Sequence, residues 1–372
     1  MTLGVAPQPG ELEISLFGPG VGECVAVHLG LGEWLIVDSC INPASRAPVA
    51  LDYMRDLDVH VATAVKQVVV THWHDDHMRG AARILDAAAG ARFVCSAALQ
   101  RDEFKQFIGA SRSLNVKAEE SSGVTEFASI LEILKARRAA GARAEGVGPE
   151  WAQANQLLYR RAATPHVPGC EVFALSPSSA TLSRGLHEIA ALLPMVGAPK
   201  RAAVSLDPNE TSLVLCVRFG NALALLGSDL ENGTTSGAGW AAVLATAARP
   251  AAPVHVFKVP HHGSENAYHE DVWRHALLPR DPIAVVTPFA RGRKFLPTAE
   301  DVARMKEHTQ RVYCTAPPPA RATVGDSMVQ RTVREVAREF RTRGSRMGHV
   351  RVRLSATTPT PTVELFGAAF AA

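Results

Sequence analysis

The sequence predicts a layered α/β fold on three observations. Apolar runs of strand length, such as "AVKQVVVTH" (64–72) and "VHVFKVPHHGS" (254–264), are too short for ordinary helices and end in polar clusters. After the first, "MRGAARILDAAAG" (78–90) has helical spacing and stops on glycine, and "ARFVCSA" (91–97) resumes as a strand. A strand–helix–strand order of this kind packs sheets under helices. The chain is also long and apolar enough for a sizeable core, with 372 residues, 47% hydrophobic and 20% charged, which excludes a disordered polymer.

The elements follow in order. "LEISLFG" (12–18), "CVAVHLG" (24–30) and "GEWLIVDSC" (32–40) read as strands, punctuated by Gly18, Gly20, Gly22, Gly30 and Gly32. Residues 98–165 read as a mainly helical insertion. Within it, "TEFASILEILKARRAA" (125–140) carries an apolar stripe at 127, 130, 131 and 134, and "PEWAQANQLLYRRAA" (149–163) is also helix-like. Strands resume at "CEVFALSP" (170–177), and "NETSLVLCVRFGNALALLGSDLE" (209–231) reads as two strands joined at Gly220–Asn221. "PIAVVTPF" (282–289), a helix near 298–309 and "RVYCTA" (311–316) come next. A loop over 315–327, a helix over 327–341 and the strands "HVRVRLSA" and "TVELFG" form a C-terminal α/β extension, 317–372, of a single domain spanning 1–372.

Six cysteines (24, 40, 95, 170, 216, 314) show no CxxC spacing, which fits the reduced thiols of a cytoplasmic protein. No apolar stretch reaches the roughly 18 residues of a membrane span, and the first 18 residues lack the pattern of a secretory signal, so no membrane partner is expected. Between Arg280 and Arg353 stand 16 lysines and arginines against 7 acids, in a chain of net charge +3. This basic stretch either attracts a polyanion or is an ordinary set of solvated helix faces.

The chemistry concentrates in "THWHDDHMRG" (71–80). His72 and His74 are two apart at a strand end, which sends their side chains to one side. Asp76 and His77 follow in the loop. Imidazoles and a carboxylate are the ligands that Zn²⁺, Mn²⁺ or Fe accept, and two such groups in one loop can hold two ions a few Å apart. Alone, the cluster could be a polar loop. Two more strand ends argue otherwise: Asp229 closes "ALALLGSDL", and His261 and His262 close "VFKVPHHGS". Asp38 reads either as a support for a ligand or as a turn carboxylate. Arg79 either contacts an anionic substrate or caps a surface. His28, His166, His187, His255 and His269 read as surface or satisfied core histidines.

These motifs resemble the metallo-β-lactamase superfamily and, within it, the hydrolase domain of the ComEC-type DNA-uptake proteins. That pattern runs HxHxDH, an Asn-x-x-Ser strand, Gly-Asp, then Lys-Val-x-His-His-Gly-Ser. Here it appears as "THWHDDH", "NETSLVL" (209–215), "LLGSD" (225–229) and "FKVPHHGS", and the likeness covers 11–98 and 170–316. The resemblance implies an αββα sandwich and two divalent ions, Zn or Mn, held by His72, His74, Asp76, His77, Asp229 and His262. Asp229 would bridge the ions and Asp38 would orient a ligand from beneath. Asp76 and His261 would be the catalytic groups. Adjacent residues at a strand end point to opposite sides, so with His262 on the metal His261 would face the substrate. Many superfamily members carry one more histidine before the bridging aspartate. His166 and His187, the candidates here, stand at no convincing strand end, and ComEC-type members generally lack this ligand.

The implied activity is hydrolysis of a phosphodiester, nucleic acid foremost, by attack of a metal-bound hydroxide on phosphorus. His261 would contact the scissile phosphate or protonate the leaving oxygen. Free-standing ComEC-like hydrolases with a helical insertion also resemble bacterial defence effectors, which would bring a homodimer or a partner protein from a multi-gene system. Two alternatives stand beside this: a hydrolase of small esters, lactones or thioesters, and a binding or regulatory protein with a vestigial site.

Overall fold

The computed structural model describes residues 5–99, 122–141, 146–184, 208–233, 237–250, 252, 254–276, 281–291, 294–317, 347–355 and 360–372. The chain opens with β1 (Glu11–Gly18), β2 (Cys24–His28) and β3 (Trp34–Val37), then α1 (Val49–Asp56), the single turn α2 (Val61–Ala64) and β4 (Val65–Val70). Two short helices, α3 (Asp75–Met78) and α4 (Ala81–Ala87), lead to β5 (Arg92–Ser96), and α5 (Ser122–Ala139) to β6 (Pro149–Ala152), β7 (Gln156–Arg161) and β8 (Cys170–Ala174). The second half runs β9 (Leu215–Phe219), β10 (Ala222–Leu226), α6 (Gly239–Ala245), β11 (Val256–Lys258), β12 (Ile283–Val286), β13 (Phe289–Arg291), β14 (Lys294–Leu296), α7 (Ala299–Lys306) and β15 (Val312–Cys314). It closes on β16 (Gly348–Ser355), β17 (Thr362–Gly367) and β18 (Phe370–Ala371).

Two eight-stranded sheets result, ordered β17-β16-β1-β2-β3-β4-β5-β6 and β18-β15-β12-β11-β10-β9-β8-β7, with β13-β14 as a separate hairpin. Each sheet changes from antiparallel to parallel pairing: β3-β4-β5-β6 in the first, β10-β11-β12-β15 in the second. Alternation along the strands sorts their side chains into layers. Leu12, Ile14, Leu16, Val217, Val256 and Val285 meet between the sheets. Trp34, Tyr53, Ile84, Phe93 and Phe127 fill the layer between the first sheet and α1, α4 and α5. Trp240, Phe257, Trp273 and Met305 fill the layer between the second sheet and α6 and α7. Three apolar layers between four layers of structure make an αββα sandwich.

The structure differs from the sequence reading in two places. Residues 149–163 are not helical: β6 pairs with β5 in the first sheet and β7 with β8 in the second. Asn155, in the left-handed region at φ 68°, turns the chain between them, a conformation that interrupts any helix. The adjacent Leu157 and Leu158 gave a helix-like signal, but Leu158 is buried between the sheets while Leu157 is exposed, which is strand alternation. The helix expected over 78–90 is instead two helices broken at Gly80, whose φ of 87° ends α3 and starts α4. The expected helix at 327–341 and His187 lie outside the described residues. All six cysteines are free and buried. Among the described residues no helix is long and apolar enough to cross a membrane.

Candidate metal centre

The site forms where parallel strands end. In open α/β sheets the carboxyl ends of parallel strands are where ligands gather. Beyond β4 come Thr71, His72 and His74, then α3 with Asp76 and His77. Beyond β3 comes Asp38, beyond β10 Asp229, and beyond β11 His261 and His262. Asp76, His77, Asp229 and His262 each offer a ligand atom, and these atoms all lie within 4.8 Å of one another. His77 Nε2 is 3.2 Å from Asp229 Oδ2 and 3.8 Å from Asp76 Oδ2. His262 Nε2 is 3.4 Å and 3.5 Å from the same two oxygens.

The second nitrogen of each ring shows how it is set. His77 Nδ1 lies 2.7 Å from Asp38 Oδ2, and His262 Nδ1 lies 3.1 Å from the Thr287 carbonyl. Both partners are acceptors, so each Nδ1 carries a proton and each Nε2 lone pair faces the carboxylates. Among the described residues, His77 Nε2, His262 Nε2 and Asp229 Oδ1 are buried without a hydrogen-bond partner. Acceptors gathered in this way repel one another unless positive charge stands between them. Protonation is one answer. Burial pulls both imidazoles down, but Asp229 and its neighbours outweigh it, lifting His77 and raising His262 to about 9. Burial would raise Asp229 and Asp76, but His77 and His262 overcome it and hold both carboxyls below their usual range. A divalent cation answers the same need with ligands of the right chemical kind, so the residues fit a metal.

His72 and His74 form an adjoining pair, with His72 Nε2 3.1 Å from His74 Nδ1 and the His72 ring centroid 4.2 Å from that of His77. His72 is fully buried and His74 only partly so. Burial, with His77 beside it, pushes the His72 imidazole well below its usual value and favours the neutral, ligating form. His166 is exposed and does not belong to the cluster.

Asp38 accepts three hydrogen bonds, from Thr71 N at 2.8 Å, Thr71 Oγ1 at 2.7 Å and His77 Nδ1. It therefore holds the start of the histidine loop and one ring of the cluster together. Its own φ is 58°. Arg79 is not brought to the cluster: its side chain is exposed and 3.7 Å from Asp75. His261 and His262 also differ from the expected strand end. They follow β11 by three residues and sit in a 3₁₀ turn, His261–Gly263, with φ of 44° and 56°. The turn, not strand alternation, sets their rings 6.0 Å apart.

Several supporting groups escaped the sequence reading. Lys258, 1% exposed, lies 2.6 Å from Glu23 Oε1 and 3.7 Å from Asp229 Oδ1, and donates to Ser228 O at 2.7 Å. Thr287 Oγ1 donates to Glu23 Oε2 at 2.5 Å. Lys258 was visible as a charge inside the apolar run "VFKVP", where a buried cation needs partners. Glu23 gave no such signal. Gly22 beside it is required by a close approach: a Cβ there would stand 2.9 Å from Cys40 Cβ and 3.2 Å from Asp76 O, at a φ of 95°. The loop is also tied to α5. Asp75 Oδ1 accepts from Gly123 N at 2.7 Å, and Glu126 accepts from Gly80 N and Ala82 N at 2.9 and 3.2 Å.

The sequence matches no family model and no curated protein. Solved structures are similar to it. The metallo-β-lactamase fold protein YhfI from Bacillus subtilis is 11% identical, with 66% of this chain and 70% of that chain covered and a TM-score of 0.30. The metallo-β-lactamase SMB-1 bound to 2-mercaptoethanesulfonate is 12% identical, with 73% and 76% covered and a TM-score of 0.31. A putative diflavin flavoprotein from Nostoc sp. PCC 7120 is 10% identical, with 57% and 58% covered and a TM-score of 0.25. Two facing sheets flanked by helices, with a His/Asp cluster at their strand ends, make this chain an αββα sandwich, the architecture expected from its resemblance to the metallo-β-lactamase superfamily.

Proposed function

We propose that the chain is a divalent-metal-dependent hydrolase whose substrate is a phosphodiester, nucleic acid foremost. The observation that carries the metal reading is the cluster of Asp76, His77, Asp229 and His262, with two buried Nε2 atoms and one buried carboxylate oxygen that have no hydrogen-bond partner among the described residues. These four would hold one cation, and His72 with His74 would contribute to a second, Asp229 being shared. Zn²⁺ and Mn²⁺ both suit this imidazole and carboxylate set. When bound, such a cation polarises a phosphoryl or acyl oxygen and makes a water acidic enough to attack near neutral pH.

The chain's own residues prepare that chemistry. Asp38 and the Thr287 carbonyl fix the tautomers of His77 and His262. Lys258, paired with Glu23, places its cation 3.7 Å from Asp229 Oδ1. Phe289 packs its half-buried ring 5.1 Å from that of His262. His261, beside the cluster, would accept a proton at Nε2 and pass it to the leaving oxygen. The phosphodiester reading is supported by the HHGS-type motif and by the 16 lysines and arginines against 7 acids between Arg280 and Arg353. Arg79 would meet the anionic backbone outside the cluster.

The test is turnover by zinc- or manganese-loaded protein of DNA, RNA and bis(4-nitrophenyl) phosphate, alongside 4-nitrophenyl acetate and a lactone. Phosphodiester cleavage that a chelator stops and added metal restores is expected. Turnover of the ester or lactone alone would replace this reading with a small-molecule hydrolase. Protein that binds no metal at all would point to a binding or regulatory role.

A further inference from the structure

His261 stands in a pocket of hydrogen-bonding groups drawn from three separate segments. Its backbone is tied down first: His261 N donates to Ser228 O at 3.0 Å, in the loop that carries Asp229. The same two loops are joined again by Asn232 N to Asn266 O at 2.8 Å and by Asn232 Nδ2 to Tyr268 O at 2.5 Å. Trp240 Nε1 anchors Leu230 O at 2.9 Å. Glu231 is thus presented from a fixed backbone. The ring contacts follow. His261 Nδ1 lies 2.9 Å from Glu231 Oε1 and 3.1 Å from Asn266 Oδ1. Both are acceptors, so Nδ1 is the nitrogen that carries hydrogen. Asn209, 5% exposed, donates from Nδ2 to Glu231 Oε1 at 2.9 Å, and the same Nδ2 meets His261 Nε2 at 3.4 Å. A donor at Nε2 means a lone pair at Nε2, which agrees with the assignment made at Nδ1. The 3.4 Å contact is long for a hydrogen bond, so it is the one ring contact that a substrate group displaces at small cost.

His261 holds a left-handed backbone at φ 44°, a conformation that in a non-glycine residue persists where its surroundings over-determine it. A carboxylate and two amides from segments 208–211, 229–232 and 265–267 converge on one imidazole, and Asn209 Nδ2 also donates to the Glu231 carboxylate. We propose that Glu231, aided by Asn209 and Asn266, is a positioning residue: it fixes the rotamer and the Nδ1–H tautomer of His261, so that Nε2 is the nitrogen offered to the substrate. The proposal deepens the hydrolase reading above and rests on it for what His261 then does.

Two readouts separate the proposal from that reading. In protein labelled with ¹⁵N-histidine, two-bond ¹H–¹⁵N spectra report the tautomer of each ring, and His261→Asn identifies the His261 signal by its loss. The wild type, metal-free or zinc-loaded, is expected to show His261 as the Nδ1–H tautomer. Glu231→Gln, whose amide can donate to Nδ1, is expected to lose that tautomer, whereas Glu231→Asp keeps it. On bis(4-nitrophenyl) phosphate, zinc-loaded Glu231→Gln is expected to lose about 10- to 100-fold in kcat with little change in KM, and Glu231→Asp to recover part of it. Zinc content stays at the wild-type level in both. A Glu231→Gln protein that is folded and keeps the Nδ1–H tautomer overturns the proposal, whatever its rate. If the wild type cleaves no phosphodiester, the substrate reading fails, and the tautomer still decides the role of Glu231.

Discussion

The two halves of the histidine loop are built to different standards. Asp76 and His77 meet Asp229 and His262 in a cluster gathered from three strand ends, and its rings are braced from behind by Asp38 and the Thr287 carbonyl. His72 and His74, just before them in the same loop, stand 3.1 Å from each other, with His74 partly open to solvent. The difference teaches that ligand type alone does not make a metal site. His72 is also set from behind, its Nδ1 3.0 Å from Thr71 Oγ1, so the halves differ in ligand number and charge: two carboxylates and two imidazoles converge in one half, and two imidazoles stand in the other. The proposed cations should therefore bind unequally, the four-residue site more tightly.

The largest expected effect comes from the shared carboxylate. Asp229→Ala should remove turnover to background and lower metal content at both positions, as measured by elemental analysis beside a rate assay. A variant with full metal content would break the comparison, because the two halves would then not share a ligand. Next comes the support beneath them. Lys258→Met should destabilise metal-free protein by about 3–5 kcal/mol in urea unfolding, since it leaves Glu23 buried and uncompensated beside Asp229. Destabilisation under about 1 kcal/mol would show that Lys258 is not the charge that holds the floor of the site.

Smaller effects sharpen the picture. Asp38→Asn should weaken metal binding about 10- to 100-fold, measured by competition with a chromogenic chelator, while leaving the chain folded. His261→Ala should keep its metal and lose turnover on the order of 100-fold, whereas His262→Ala should shed metal. If His261→Ala sheds metal instead, the roles of the pair are exchanged. Raising salt from about 50 to about 200 mM should weaken binding of nucleic acid, each phosphate contact by Lys or Arg adding about one unit to the slope of log affinity against log salt. A flat dependence would detach the basic stretch from the substrate.

What was legible in the sequence was what chemistry concentrates. A strand that ends on "THWHDDH" or "VPHHGS" places coordinating groups where an apolar run has no use for them, so His72, His74, Asp76, His77, Asp229 and His262 could be named as one set. The layered α/β class could be read for a similar reason, since apolar runs of strand length leave few ways to be buried, whereas the pairing of two sheets came from the resemblance. What stayed hidden depends on pairing at long range. Residues 149–161 look helical alone and are strands because β5 and β8 offer edges to them. Glu23 and Thr287 lie 264 positions apart and act through a contact that no local spacing announces. Glu231 and Asn209 stood inside quoted motifs, yet their common partner, His261, emerges only when three loops close on it.

Metal content tests the central claim most directly. Purified wild type, His72→Ala/His74→Ala and Asp76→Ala/His77→Ala would be loaded with zinc, dialysed against buffer and assayed by elemental analysis. The wild type should hold the most zinc, the His72/His74 variant should keep about one ion per chain in the four-residue site, and the Asp76/His77 variant should keep close to none. Equal zinc in the wild type and the Asp76→Ala/His77→Ala variant would contradict the account, because the cluster that defines the site would then not be what holds the metal.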